Sequence, residues 1–179
     1  MTKSIRQWLE SIVFALVIAL LVNAFLFQRM VVAGPSMEPN LKDGESLFVH
    51  KVAHTLAKMP AYGDVVVLDS RIHRQRSIRD DLTESFHRLL TQPDYFYVKR
   101  VIGHPDDTIE IRNGLVFRNG QPLDEPYTKD KRSRDRDQVF SVPPGHVFVM
   151  GDNRNNSMDS RYFGSIPLEH CLGIVFGKL

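Results

Sequence analysis

The sequence predicts a mainly β fold: an antiparallel β-sandwich or barrel-like domain behind a single N-terminal transmembrane helix. Three observations carry this. Residues 11–27 form one long apolar run. From residue 30 onward, short β-rich runs recur with turn residues between them. No long helical patterns alternate with those runs, as a parallel α/β sheet would require. The expected organisation is a short N-terminus and anchor over 1–29 and a β-rich domain over 30–179.

The anchor comes first. Residues 11–27 read SIVFALVIALLVNAFLF, and fifteen of the seventeen are apolar. A bilayer core needs about 20 mostly apolar helical residues, with a lower limit of about 17. Lys3 and Arg6 precede the run, and Trp8 sits where an interfacial aromatic is favoured. This bias predicts a cytoplasmic N-terminus and an exported remainder. A cleaved signal peptide has a shorter apolar core and ends in a small-x-small site. Here the chain continues as QRMVVAGPS with no such site at the end of the run. A two-sided surface helix would not be apolar all round. The reading is an uncleaved anchor.

The strands follow. SLFVH at Ser46, DVVVL at Asp64, YFYVKRVI at Tyr95, TIEI at Thr108, LVF at Leu115, HVFVM at His146 and CLGIVF at Cys171 are the runs. Asn113-Gly114 between TIEIR and LVFRN is a strong hairpin signal, and Asn119-Gly120 marks another turn. Residues 70–92 depart from the pattern. They are polar and basic, with Leu82, Phe86, Leu89 and Leu90 at helical spacing and Ser77 and Asp80 placed as a capping pair. A short amphipathic helix inserted between two strands is expected there. KDKRSRDRD at 129–137 alternates in sign and reads as a flexible solvated loop that can also meet lipid headgroups.

Composition bounds the function. The net charge is +2, so acids and bases nearly cancel, and no nucleic-acid partner is expected. Cys171 is the sole cysteine, so no intramolecular disulfide supports the fold. GDNRNNSMDS is rich in oxygen ligands, but its sixth position is Ser157 and its twelfth would be Phe163, not the glycine and glutamate of a calcium loop. No metal and no cofactor are expected.

Chemistry begins with serine. A serine hydroxyl is a weak nucleophile and needs a base. The histidines form no recognisable triad motif, and there is no G-x-S-x-G elbow. A lysine can serve if burial lowers its pKa from about 10.4. Lys99 lies on an apolar run, between Val98 and Val101, with Arg100 facing the other side of the strand. Read alone, without a matched serine, it is better taken as a surface lysine on a half-exposed strand. Ser36, in VAGPSMEPNL, sits on a turn shaped by Gly34, Pro35 and Pro39. Such a turn presents a hydroxyl and frees backbone amides for an oxyanion hole. Read alone, such a segment is more often an ordinary turn.

The chain resembles the bacterial type I signal peptidases, over almost its whole length. GPSMEPNL, YGDVVVL, YVKRVIGHPDDTIEI and VFVMGDNRNNSMDSRYFGSIP resemble that family's boxes, in the family's order behind an anchor. The resemblance implies a membrane-bound serine endopeptidase that removes signal peptides from exported preproteins after small residues. It implies Ser36 as nucleophile, Lys99 as general base, and Ser157 as the residue that hydrogen-bonds and orients the lysine. Asp159 and Arg161 fall on the family's bracing pair. The oxyanion hole falls to the backbone around Gly34 and Ser36. The family binds its substrate as an added strand. Met30, Val32, Met37, Tyr97 and Val98 flank the dyad and are the expected pocket residues, or simply core. Two positions depart from the pattern: Asn40 stands for a threonine, and Asp106 for a glycine. Gly34 supplies no hydroxyl where some members carry a serine.

Preproteins, the lipid bilayer and nearby secretion machinery are the expected partners. The expected site is the plasma membrane, single-pass, with the catalytic domain on the outer face. Only eight residues, 28–35, separate the apolar run from Ser36. They reach at most about 29 Å, which keeps the nucleophile near the bilayer. Two other readings compete. One is a self-cleaving Ser/Lys protease of the SOS-repressor type, which lacks the anchor and the GDNRNNSMDSR segment. The other is a non-catalytic membrane-tethered β module that binds export partners.

Overall fold

The computed structural model describes residues 2–51, 58–72, 74, 77, 80 and 96–179. Helix α1 runs Thr2–Phe25 and contains neither proline nor glycine, so nothing in it interrupts the hydrogen-bond ladder. Its described apolar side chains are exposed, including Trp8, Val13, Phe14 and Leu16. Among the described residues, no helix is long and apolar enough to cross a membrane. The run that predicts a span includes positions 20 and 23–25, whose side chains lie outside the described set. Helix gives way to strand at Leu26, whose carbonyl accepts the Lys51 N–H at 2.7 Å.

The described strands form two antiparallel sheets. The large sheet contains β1 Phe27–Val31, β2 Ser46–His50, β3 Val65–Asp69, β4 Phe96–Gly103, β9 His146–Met150, β10 Ile166–Pro167 and β11 Cys171–Lys178. Its order is β1-β2-β11-β3-β4-β9-β10. The small sheet contains β5 Thr108–Arg112, β6 Leu115–Arg118, β7 Gln121–Pro122 and β8 Gln138–Ser141, in the order β7-β6-β5-β8. A short helix α2, Ser160–Phe163, follows β9.

The large sheet curls. Met30 of β1 shares a core cluster with Leu47 and Val49 of β2, Val67 of β3 and Leu172 of β11, and Val98 of β4 packs against it. Strands that stand first and fifth in order therefore face one another across a common core. Each such buried side chain contributes about 1.5–3 kcal/mol. A second cluster holds Val66, Leu68, Val101 and Val149. A third joins the sheets, with Ile102, Phe148 and Met150 of the large sheet against Ile109 and Val116 of the small one.

The seven expected strands are all present. β1 begins at Phe27, inside the run that reads as one apolar helix. Its alternation is visible only in the fold, where Gln28 and Met30 are buried and Phe27, Arg29 and Val31 are not. The hairpin signals hold: Asn113 and Gly114 both have positive φ (52° and 75°), as do Asn119 and Gly120 (53° and 76°). Asp106 takes φ 69°, the conformation glycine would supply there. Ser77 donates its N–H to the Asp80 carboxylate at 2.8 Å, as the capping pair requires. The rest of the helix expected over 70–92 lies outside the described residues.

The run 129–137 is largely exposed, as a solvated loop should be, but it is tied to the fold by backbone bonds. Lys129 N–H donates to the Asp152 carbonyl at 3.0 Å, and Ser133 N–H to the Gly114 carbonyl at 2.8 Å. Arg134 N–H donates to Asn155 Oδ1 at 2.8 Å. These bonds make the run a strap laid over the β5–β6 turn. Alternating charge reports the solvated side chains, while the bonds that tie the run down do not show locally because their partners are remote in sequence.

Candidate active site

Ser36 lies on the turn that leaves β1. Gly34 there has φ 83°, a conformation that costs other residues about 1 kcal/mol or more. Its N–H donates to Asp43 Oδ1 at 2.8 Å. Asn153 holds the turn from the other side. Its backbone N–H donates to the Ser36 carbonyl at 3.0 Å. Its side-chain Nδ2 donates to the Pro35 carbonyl at 3.1 Å. The turn is thus fixed on both flanks of the serine.

Lys99 comes from the middle of β4, where it pairs with Val66 of β3. By strand alternation it shares its side with Tyr97 and Val101, both in the second apolar cluster. It is 3% exposed. Its Nζ donates to Ser36 Oγ at 2.8 Å and to the Val98 carbonyl at 3.0 Å. Burial among these groups lowers its pKa from 10.5 to about 8; the Asp159 charge opposes the shift, Arg161 adds to it, and Asp152 opposes it. About a tenth of the lysine is then neutral at pH 7, against about 3 in 10,000 for a free one.

Asp159 caps the N-terminus of α2, accepting the Arg161 N–H. Arg161 grips it in a fork, Nε to Oδ1 at 2.8 Å and Nη2 to Oδ2 at 2.7 Å. Asp159 Oδ2 also accepts the Gly151 N–H at 2.9 Å. Both side chains are buried. Arg161 Nη1 makes a further ion pair with Asp135 of the strap.

Ser157 does not make the expected bond. Its Oγ is buried and has no hydrogen-bond partner, although it lies beside Gly151, next to the Ser36 carbonyl. A Cβ at Gly151 would overlap the Ser157 side chain and stand 2.5 Å from the Ser36 carbonyl. Ser157 therefore packs behind the Ser36 turn, with its hydroxyl uncommitted.

Beside Ser36 and Lys99 opens a cleft of about 370 Å³. Met30, Val32, Met37, Tyr97 and Val98, the expected pocket residues, all line it, and Met158 adds an exposed apolar wall. Met30, Val32 and Met37 are also core, so the two readings of these residues coincide.

Sequence reasoning missed the other face of β4. Arg100 grips Asp152 through Nε at 2.8 Å and Nη2 at 2.6 Å and lies over the Tyr127 ring at 4.1 Å. Asn40 donates to Asp152 Oδ2 at 2.8 Å and to the Tyr127 carbonyl at 2.6 Å. The usable signal was Arg100 itself, a cation whose strand position turns it away from Lys99.

Residues 5–178 match the family described as signal peptidase, peptidase S26. The chain belongs to this family. It is 36% identical over 169 residues to "Signal peptidase I" of Bacillus licheniformis, covering 89% of this chain and 79% of that one. It is 37% identical over 169 residues to "Signal peptidase I S" of Bacillus subtilis (strain 168), with the same coverage. A solved signal peptidase I from Enterococcus faecalis V583 is 26% identical, with TM-score 0.48, and covers 66% of this chain and 98% of that chain. Against the signal peptidase pattern, both departures have local explanations. Asn40 hydrogen-bonds Asp152 on the far side of β4. Asp106 adopts the left-handed turn.

Proposed function

We propose that this chain is a membrane-anchored signal peptidase in which Ser36 is the nucleophile and Lys99 the general base. The observation that carries the reading is the 2.8 Å contact between Lys99 Nζ and Ser36 Oγ in an apolar, nearly closed setting. A neutral amine there accepts the hydroxyl proton as oxygen attacks the scissile carbonyl. The resulting ammonium then donates to the leaving amine. Water, deprotonated by the same lysine, releases the acyl group.

The oxyanion needs donors. Gly34 N–H is taken by Asp43, and Pro35 has no N–H. The Ser36 N–H is the donor this turn offers, and one such donor is worth about 2.7–4 kcal/mol. Ser157, two residues before Asp159, keeps an uncommitted buried hydroxyl and is the candidate to orient Lys99 after a change of rotamer. Asp159 and Arg161 brace the wall behind it.

Substrate enters as a strand. β4 pairs with β3 from Phe96 to Arg100 but with β9 only from Arg100 onward. The Tyr97–Lys99 edge therefore faces the cleft and can take a peptide backbone. The apolar walls at Met30, Val32 and Val98 leave room for small side chains. The apolar, exposed α1 holds the domain at the outer face of the plasma membrane, N-terminus inside, where preproteins leave the secretion machinery.

Cleavage of a model preprotein in detergent tests this. Wild type should cut after the small-x-small site, and folded Ser36→Ala and Lys99→Ala should be inert. Full activity in Lys99→Ala would remove the base assignment. An inert wild type would favour the binding-module reading.

A further inference from the structure

We infer that Asp135, on the strap, is a positioning residue for the Lys99 base, acting through Arg161 and Asp159. This rests on the dyad reading above. The geometry runs in one line. Asp135 is fixed within the strap by Ser133, whose Oγ bonds its carboxylate and accepts its N–H at 3.0 Å. Ser133 is fixed in turn by the Gly114 carbonyl at 2.8 Å. The strap lies so close that a Cβ on Gly114 would collide with the Ser133 carbonyl. A glycine at the hairpin tip is therefore needed to admit the strap as well as to turn the chain.

From there Asp135 reaches Arg161 Nη1, whose side chain is 1% exposed. Arg161 is almost closed off from solvent, so its charge must be met by protein groups. Asp159 takes its Nε and Nη2, and Asp135 takes the third nitrogen. The two carboxylates outnumber the guanidinium, so the brace presents net negative charge to Lys99. Asp159 also holds the Gly151 amide, and Gly151 abuts the Ser36 carbonyl. Without Asp135, Arg161 would keep its charge, lose a buried partner, and act on Lys99 less compensated.

The charged and titratable groups around Lys99 are Asp159 and Arg161 from the brace and Asp152 from the end of β9. The Tyr97 ring lies 5.2 Å away on the same strand, and the Ser36 hydroxyl completes the set. Arg100 turns to the opposite face, onto Asp152. Asp135 touches none of these except Arg161, so its effect must pass through that residue.

The test is the pH dependence of kcat/KM on a model preprotein, using the full chain in detergent. In Asp135→Asn the acidic limb should move to lower pH by about half a unit, because an uncompensated cation disfavours the ammonium. kcat should fall about tenfold with KM little changed. Asp135→Glu keeps the charge and should restore the wild-type limb. Ser133→Ala frees the carboxylate without removing it and should shift the limb in the same direction by less, which keeps the test open if Asp135→Asn fails to fold. Lys99→Ala runs alongside. An unmoved limb in both strap variants, with Lys99→Ala inert, would overturn this inference alone. Full activity in Lys99→Ala would overturn the dyad reading and this inference with it.

Discussion

Arg100 and Asp152 are joined through two hydrogen bonds, 2.8 and 2.6 Å, on the side of β4 opposite Lys99. Adjacent residues of one strand thus send two cations in opposite directions, one into an apolar site and one into an ion pair. Asp152 also accepts from Asn40, and Asn153 beside it holds the Ser36 turn. The pair therefore fixes the floor on which Ser36 stands.

Breaking that pair should cost stability rather than chemistry alone. The Asp152 side chain is 1% exposed, so Arg100→Ala leaves a buried carboxylate without its main partner. A loss of about 3 kcal/mol is expected, read from denaturant unfolding. A double variant with Asp152→Asn should lose less than the sum of the single changes.

Lys99 gives a pH prediction with a definite sign. Its folded pKa is about 8 and its ordinary value 10.5, so the folded state binds fewer protons between these two pH values. Stability should rise with pH through that window and carry the full penalty below pH 8. Lys99→Met should therefore raise stability by about 2 kcal/mol at pH 7 and give no gain above about pH 10.5. Thermal melts of both proteins across that range check this. In the wild type, kcat/KM should climb with a midpoint near pH 8.

Asn153 should act on kcat. Asn153→Ala removes the bond to the Pro35 carbonyl and leaves the backbone bond to Ser36 in place. The serine is then held on one flank only. A 10- to 100-fold fall in kcat, with KM within about twofold, is expected from steady-state kinetics.

Two glycines should fail for different reasons. Gly151→Ala pushes a methyl into Ser157 and the Ser36 carbonyl and should cost about 1–3 kcal/mol and most of the activity. Gly34→Ala meets open space, with nothing within 4 Å, and its penalty comes from φ +83° alone. That cost is about 1 kcal/mol, with activity largely kept. Paired melts and cleavage assays separate steric from conformational need.

Much of this was legible in the sequence, for physical reasons. Strand runs such as TIEI and HVFVM are β-rich and bounded by turn residues, so their period shows locally. β1 was hidden because FLF continues an apolar helix, and only the curled sheet gives Gln28 and Met30 a buried side. β7 and β10 are two residues each, too short to carry a pattern. Ser36 and Lys99 could be paired only through the family resemblance, since a turn serine and a strand lysine read alone are ordinary features. Asp135 could not, because its partner Arg161 lies 26 residues away and its neighbours are all charged. Composition reports solvation, and only packing shows which charges leave the solvent. Ser157 marks the reverse limit: its position was legible, but its hydrogen bonding was not.

The placement of β11 has a consequence for when the enzyme can work. This strand is the last in chain order among those described, yet it sits between β2 and β3, dividing the half that bears Ser36 from the half that bears Lys99. It is the keystone of the arch. Without Cys171–Lys178 the two halves share no strand edge, and only contacts across the curl, such as the Asn153 bonds to the Ser36 turn, are left to hold Ser36 near Lys99. The approach of Ser36 to Lys99 therefore belongs to the finished sheet, closed by the strand that comes last among those described.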